Sequence, residues 1–197
     1  MLASQVSIRK SVLAGIIWPG AGVGRSIALI VAGSLLLTLS AKIQIPFWPV
    51  PMTMQTLAVL VLGAAYGVRL GAAAMLAYIA EGAAGLPVFA GPSAGAAYLM
   101  GPTAGYLVGF VIAAGVVGFL AERGWNRRMS LIVGAMCLGH LLIFVPGVLW
   151  LAVLFGWQKA FAVGVSPFVL ATLLKTALAA ALLRGLWSAG ADLSRSR

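Results

Sequence analysis

Acidic residues are almost missing from this chain: Glu81, Glu122 and Asp192 are all it has in 197 residues. So few carboxylates exclude most metal sites and most paired-carboxylate chemistry, for lack of ligands. Charged residues of both signs make up 8%, against about a quarter in a soluble domain. Long solvated helical faces and acidic or disordered tails are therefore excluded. A single cysteine, Cys137, excludes an internal disulfide framework. A single histidine, His140, leaves little for histidine-based catalysis.

Apolar residues are what the chain has in excess: 62%, with a mean hydropathy of +1.10. The length suits one domain, and the composition makes it a membrane domain. The net charge of +10 would suggest nucleic acid in a soluble protein. Here the basic residues are sparse and lie between apolar runs, which is the spacing of topology signals. No alternation of basic and aromatic residues offers a base-stacking surface, so no nucleic-acid partner is expected.

A helix needs about 20 mostly apolar residues to cross a bilayer. Cutting the chain at its charges and loop signals predicts six spans, at about 26–43, 54–67, 69–84, 101–121, 129–154 and 167–186. The second and third are short and tightly joined at Gly67-Val68-Arg69. Six spans put both termini on one side. If that side is the cytoplasm, it holds Arg9, Lys10, Arg25, Arg69, Arg123, Arg127, Arg128, Arg184, Arg195 and Arg197, leaving Lys42 and Lys159 outside. This asymmetry follows the positive-inside rule. The fold class expected is an all-α integral membrane protein with six transmembrane helices, structured outward-facing loops and both termini cytoplasmic. Residues 1–25 are expected to be an interfacial N-terminal segment, 26–186 the membrane domain and 187–197 a short tail.

Two outward loops are unusual. The segment Ile45-Pro46-Phe47-Trp48-Pro49-Val50-Pro51 has three prolines in six residues, which forbid a helix and hold the backbone extended. It reads as a stiff hairpin with aromatic anchors or as a lid over an outward pocket. The segment Gly85–Gly95 carries no charge and must rest on something apolar. Capping a cavity would meet that need. Gly91-Pro92-Ser93-Ala94-Gly95 matches a G-x-S-x-G nucleophile elbow, but that motif needs a preceding strand and a downstream acid and histidine. His140 reads instead as a hydrogen-bonded packing residue inside the bundle.

Gly101, Gly105, Gly109 and Ala113 recur every fourth residue, a face on which a neighbouring helix can approach closely. Ala28 and Ala32 form a similar pair on the first span, readable as internal packing or as a surface for a partner protein.

Glu81 and Lys175 are charges inside spans, which are costly and mark function or pairing. Glu81 lies twelve residues beyond Arg69, so roughly 18 Å from the inner boundary at 1.5 Å per residue. Ser166-Pro167 reads as the cap and first position of the sixth span. Lys175, eight residues on, is then about 12 Å from the outer boundary. In a core of about 30 Å the two sit at similar heights. With Thr172 on the face of Lys175, they are expected either to form a structural ion pair or to line a polar pocket for a small ligand.

Three motifs in order, Pro49-Val50-Pro51-Met52-Thr53-Met54-Gln55, Gly85-Leu86-Pro87-Val88-Phe89-Ala90-Gly91 and Gly101-Pro102-Thr103-Ala104-Gly105-Tyr106-Leu107-Val108-Gly109-Phe110, resemble the BioY family. The resemblance runs from about 26 to 186. Members are the biotin-specific substrate-binding (S) components of energy-coupling-factor (ECF) vitamin transporters. It implies six spans, an outward biotin pocket, and assembly with a transmembrane coupling protein and two ATPases. The small-residue surface for the coupling protein would be Ala28 and Ala32. The family usually reads Pro-Phe-x-Pro-Gly-Asp-x-x-Lys at the sixth helix, with the Asp and Lys in the biotin site. This chain keeps Lys175 but has Thr172 in the Asp position. Glu81 could supply the missing negative charge.

The candidate substrate-binding residues are therefore Glu81, Lys175, Thr172, Gln55, Thr53, Tyr106 and Phe89, and the candidate partner contacts are Ala28 and Ala32. No cofactor, metal or enzymatic activity is expected, the location expected is the bacterial inner membrane, and a homo-oligomer is left open. The other readings are an ion-coupled secondary transporter with Glu81 as carrier, a stand-alone facilitator of biotin or a related vitamin, and an intramembrane enzyme using Ser93, His140 or Cys137.

Overall fold

A computed structural model describes residues 12–20 and 22–195, with side chains as far as 189. Arg9, Lys10, Arg197 and most of the C-terminal tail's side chains lie outside the described residues. The elements are α1 (Leu13–Ile17), α2 (Val23–Lys42), β1 (Gln44–Ile45), β2 (Met52–Thr53), α3 (Gln55–Ala83), a 3-10 helix (Ala96–Met100), α4 (Ala104–Glu122), α5 (Met129–Phe155), α6 (Trp157–Gly164), a 3-10 turn (Ser166–Phe168) and α7 (Val169–Arg195).

By length and composition, five helical runs can cross a membrane, α3 counting as one. Yet α3 is not one rod. Gly67 has φ +80 and ψ −178, outside the helical region. In a straight helix, Gln55 and Tyr78 would be about 34 Å apart at 1.5 Å per residue. Instead, the Gln55 Nε2 donates to the Tyr78 hydroxyl at 2.7 Å. A Cβ placed on Gly71 would lie 3.2 Å from the Gly63 Cα. The chain therefore reverses at Gly67, and arms 55–66 and 68–83 run back along each other. These are the short second and third spans expected, and the architecture is six membrane-embedded helical segments. Reversal needs a residue that tolerates positive φ, and only glycine does so without strain. Glu122, at the end of α4, accepts the Val68 N–H at 2.9 Å and so caps the second arm.

Small residues set the packing. A Cβ at Gly109 would lie 2.8 Å from the Ile143 Cα and carbonyl oxygen, and one at Gly63 would lie 2.7 Å from the Ala114 carbonyl oxygen. Gly105 meets Pro146 and Gly147 just as closely. So the α4 stripe is internal packing against α5, with close approach supplying dispersion contacts that lipid would otherwise share. Gly101 departs from the expected stripe, because it lies in the turn before α4.

The segments expected to be irregular hold more structure than prolines and glycines advertise. Gln44 pairs with Thr53 and Ile45 with Met52 in a two-strand antiparallel hairpin, closed by residues 46–51. A short helix, α6, lies between α5 and α7 where only a loop was expected. Ser166-Pro167 opens a 3-10 turn, with Pro167 near its start and no side-chain cap bond. The N-terminal segment does more than lie at an interface. Val12, Leu13 and Ala14 are buried, and α1 packs against α3 and α7. Arg25 holds its end, donating to the Trp18 carbonyl at 2.7 Å and the Ala14 carbonyl at 2.5 Å.

Candidate functional site

The β1–β2 hairpin, the 85–100 segment, the start of α4, the middle of α5 and the start of α7 converge at one end of the bundle. The Gly67 turn, Glu122 and Arg127 lie at the other, where Arg184 also donates to the Arg127 carbonyl. The convergence forms a narrow cavity of about 50 Å³. The hairpin contributes Val50, Pro51 and Thr53 to its wall, and the first arm of α3 contributes Gln55 and Thr56. Ala90 and Tyr98 come from the second loop. Thr103, Tyr106, Leu107 and Phe110 line it from α4 and the preceding turn, Phe144 from α5, and Phe168, Thr172 and Lys175 from the last helical segment.

Lys175 is the only charged residue in that wall, and it is 8% exposed. Its Nζ donates to the Thr53 carbonyl at 2.7 Å. This bond ties α7 to the hairpin across 122 residues of chain. An ammonium has three donors, and no other hydrogen bond of this one is present among the described residues. Nor does any carboxylate among the described residues pair with it. A buried cation held by one neutral carbonyl gains strongly from an anionic or carbonyl oxygen presented by a ligand.

Around it the polar groups are neutral. Thr53 Oγ1 donates to Gln55 Oε1 at 3.2 Å, and Gln55 Nε2 donates to Tyr78, whose hydroxyl donates to the Val88 carbonyl at 3.2 Å. Tyr106 donates to the Gly164 carbonyl at 2.8 Å, fixing α4 to α6. Burial pushes the Tyr98 phenol above its ordinary range, so it stays neutral.

Lys175, Thr172, Gln55, Thr53 and Tyr106 are thus brought together on one cavity. Phe89 and Glu81 are not among its lining. Phe89 is fully buried one layer behind, stacked on Tyr98 with ring centroids 4.4 Å apart and edge-on to Tyr78 at 5.5 Å. The expected Glu81–Lys175 pair does not form. Glu81 instead accepts a short hydrogen bond from the Ser34 hydroxyl on α2. Similar depth along the bundle axis did not mean contact, because helical rotation turns Glu81 toward α2 and Lys175 toward the hairpin.

The lid reading of the proline-rich loop gains support from Val50 and Pro51 in the cavity wall. The anchor reading gains it from Trp48, which lies 6.3 Å from Phe155 with the Lys159 ammonium 5.4 Å above its ring. No strand precedes Ser93, which lies in an irregular turn. His140 is 3% exposed, with Nδ1 3.0 Å from the Met136 carbonyl and 3.1 Å from the Thr176 hydroxyl. Neither arrangement forms a nucleophile elbow. Ala28 and Ala32 are both exposed on α2, so the structure does not use them for internal packing.

Sequence reasoning missed Tyr98, Phe144 and Phe168 as wall residues. Aromatics in an apolar chain carry no signal that separates a cavity wall from core. It also read Lys42 only as a topology charge, although its Nζ donates to two loop carbonyls.

The model of the BioY family matches residues 10–192. The probable biotin transporter BioY of Pyrococcus horikoshii is 36% identical over 155 residues, covering 79% of this chain and 91% of that protein. The biotin transporter BioY of Thermotoga maritima is 40% identical over 155 residues, covering 77% of this chain and 90% of that one. A crystal structure of the S-component for biotin from an ECF-type ABC transporter has the same fold, with a TM-score of 0.69 at 19% identity over 86% of this chain and 95% of that one. With apolar helices enough to cross a membrane several times and a family match spanning nearly all the described residues, this chain is a multi-pass membrane protein that belongs to the BioY family.

Proposed function

We propose that this chain binds biotin in the cavity beneath its two loops and delivers it as the S component of an ECF-type transporter. The observation that carries the reading is Lys175, a buried cation with no carboxylate partner among the described residues, set in the wall of an otherwise neutral and largely apolar cavity. Biotin brings one carboxylate, one ureido carbonyl and two ureido N–H groups. Lys175 suits an oxygen of either end. Thr53, Thr172 and Gln55 offer neutral oxygens to the N–H groups, and Tyr98, Phe144 and Phe168 offer apolar faces to the ring and chain. Phe89 supports the wall from behind. With Thr172 at the position where the family's usual motif has an acid, biotin's own carboxylate can serve as the counter-ion of Lys175.

The cavity end faces outward and the arginine-rich end faces the cytoplasm, in the inner membrane of a bacterial cell, with both termini inside. The positive-inside rule supports that orientation. Ala28 and Ala32 receive the transmembrane coupling protein, whose two ATPases supply the energy. This chain carries no G-x-x-x-x-G-K-[ST] motif of its own. Its role is binding and transport, without catalysis.

The test is uptake of labelled biotin by cells lacking their own importer. Uptake that needs co-expressed coupling protein and ATPases, and that Lys175→Met abolishes, supports the reading. Uptake by the chain alone that an uncoupler collapses would replace it with an ion-coupled carrier. No structural contact favours that alternative, since Glu81 is engaged by Ser34 away from the cavity wall.

A further inference from the structure

The 85–95 loop carries no charge, yet a charge holds it. Lys42 is the last residue of α2, and its Nζ donates to the Phe89 carbonyl at 2.8 Å and to the Gly91 carbonyl at 2.7 Å. Those carbonyls flank Ala90, which lines the cavity, and the Phe89 ring stacks on Tyr98, which lines it too. A lysine serving only to mark topology or to complement its own helix terminus would point into water or toward the last turn of α2. This one reaches 47 and 49 residues along the chain instead.

The helix that bears Lys42 is peripheral. Of its 20 residues only Gly33, Ser34, Leu37, Ser40 and Ala41 are buried. Its polar ties to the rest of the bundle are few. Arg25 donates to the Trp18 and Ala14 carbonyls at its start, Ser34 donates to Glu81 on the second arm of α3, the Met54 N–H donates to the Ser40 and Ile43 carbonyls, and Lys42 grips the loop. The face bearing Ala28 and Ala32 is left exposed.

We propose that Lys42 is a positioning residue for ligand retention: it clamps the loop over the cavity and makes that loop move with α2. The proposal rests on the reading of the cavity as the biotin site. A shift of α2 relative to the bundle would then carry the Phe89–Gly91 backbone with it and open the roof, whereas a resting α2 keeps it closed.

The test uses the full chain in lipid nanodiscs, in a Cys137→Ser background with a spin label on Ser93→Cys, two residues past Gly91. Lys42→Met keeps the length of the side chain and removes its donors; Lys42→Arg restores them. In ligand-free protein, the label is expected to gain mobility in Lys42→Met and to lose it again in Lys42→Arg. Bound biotin, chased with unlabelled biotin, is expected to leave Lys42→Met about tenfold faster or more, the scale of losing a charged hydrogen bond. Its unfolding midpoint should stay near that of the unsubstituted protein. An unchanged label spectrum with an unchanged dissociation rate would overturn the proposal. If Lys42→Met shows no unfolding transition, Lys42→Gln is read in the same two ways. If the unsubstituted chain does not bind biotin, the functional reading fails by itself. The ligand-free label spectra then decide the clamp, mobilisation supporting it and no change overturning it.

Discussion

Lys175 and Glu81 are both charges within membrane-embedded helices, and the structure gives them different work. Lys175 faces the cavity and, among the described residues, is held by the Thr53 carbonyl alone. Removing its charge takes away a charge-assisted contact to ligand, worth about 1.5–3 kcal/mol. Lys175→Met is therefore expected to weaken biotin binding at least tenfold in a titration, while the protein remains folded. Glu81 touches Ser34 and does not reach the cavity wall. For groups without shared partners, effects at a distant site are small, so Glu81→Gln should leave biotin affinity within about twofold. A large loss in Glu81→Gln would restore the idea that it replaces the missing acid. The sequence marked both charges, because any charge in a span stands out. It could not say which of them faced the cavity. That depends on the rotation of each helix, and the apolar residues around both are too uniform to fix it.

At the scale of elements, the Gly67 reversal is the part most legible beforehand: a glycine followed by an arginine between two short apolar runs. What was hidden is the partner that completes it. Glu122 is 54 residues away and caps the Val68 N–H. Such a cap is worth about 1 kcal/mol, so Glu122→Ala should lower the stability of the folded chain by that order in a reversible denaturant titration, and Glu122→Gln by less. The α4 stripe was legible as a packing face, because its four-residue period is a property of sequence alone. Which helix it met was not. Since Gly109 abuts the Ile143 backbone, Gly109→Leu must push α4 off α5, costing about 1–3 kcal/mol or more. Tyr106 and Phe144 stand on the two sides of that contact. The same variant should therefore lose biotin binding along with stability. Loss of neither would place the helix contact elsewhere. The stiff-hairpin reading of the proline-rich loop was legible from its prolines, but its strand pairing and α6 were not, because strands of two residues and a helix of eight are too short for periodicity to register.

Across the whole molecule, the cavity end and the arginine-rich end are opposite poles, and α2 runs between them with its small-residue face uncovered. Binding and partner docking should therefore separate by mutation. Ala28→Leu with Ala32→Leu adds bulk only to the exposed face of α2. It is expected to leave biotin affinity intact and to abolish uptake that depends on the coupling protein. Impaired binding in that double variant would show that the face belongs to the fold instead. The most direct measurement on the central claim is a calorimetric titration of the purified chain with biotin, with thiamine and riboflavin as controls. Tight one-to-one binding of biotin alone, weakened at least tenfold in Lys175→Met, is the predicted result. No heat with biotin from a well-folded sample, or equal binding of a control vitamin, would contradict it and show that the cavity around Thr172 serves another ligand.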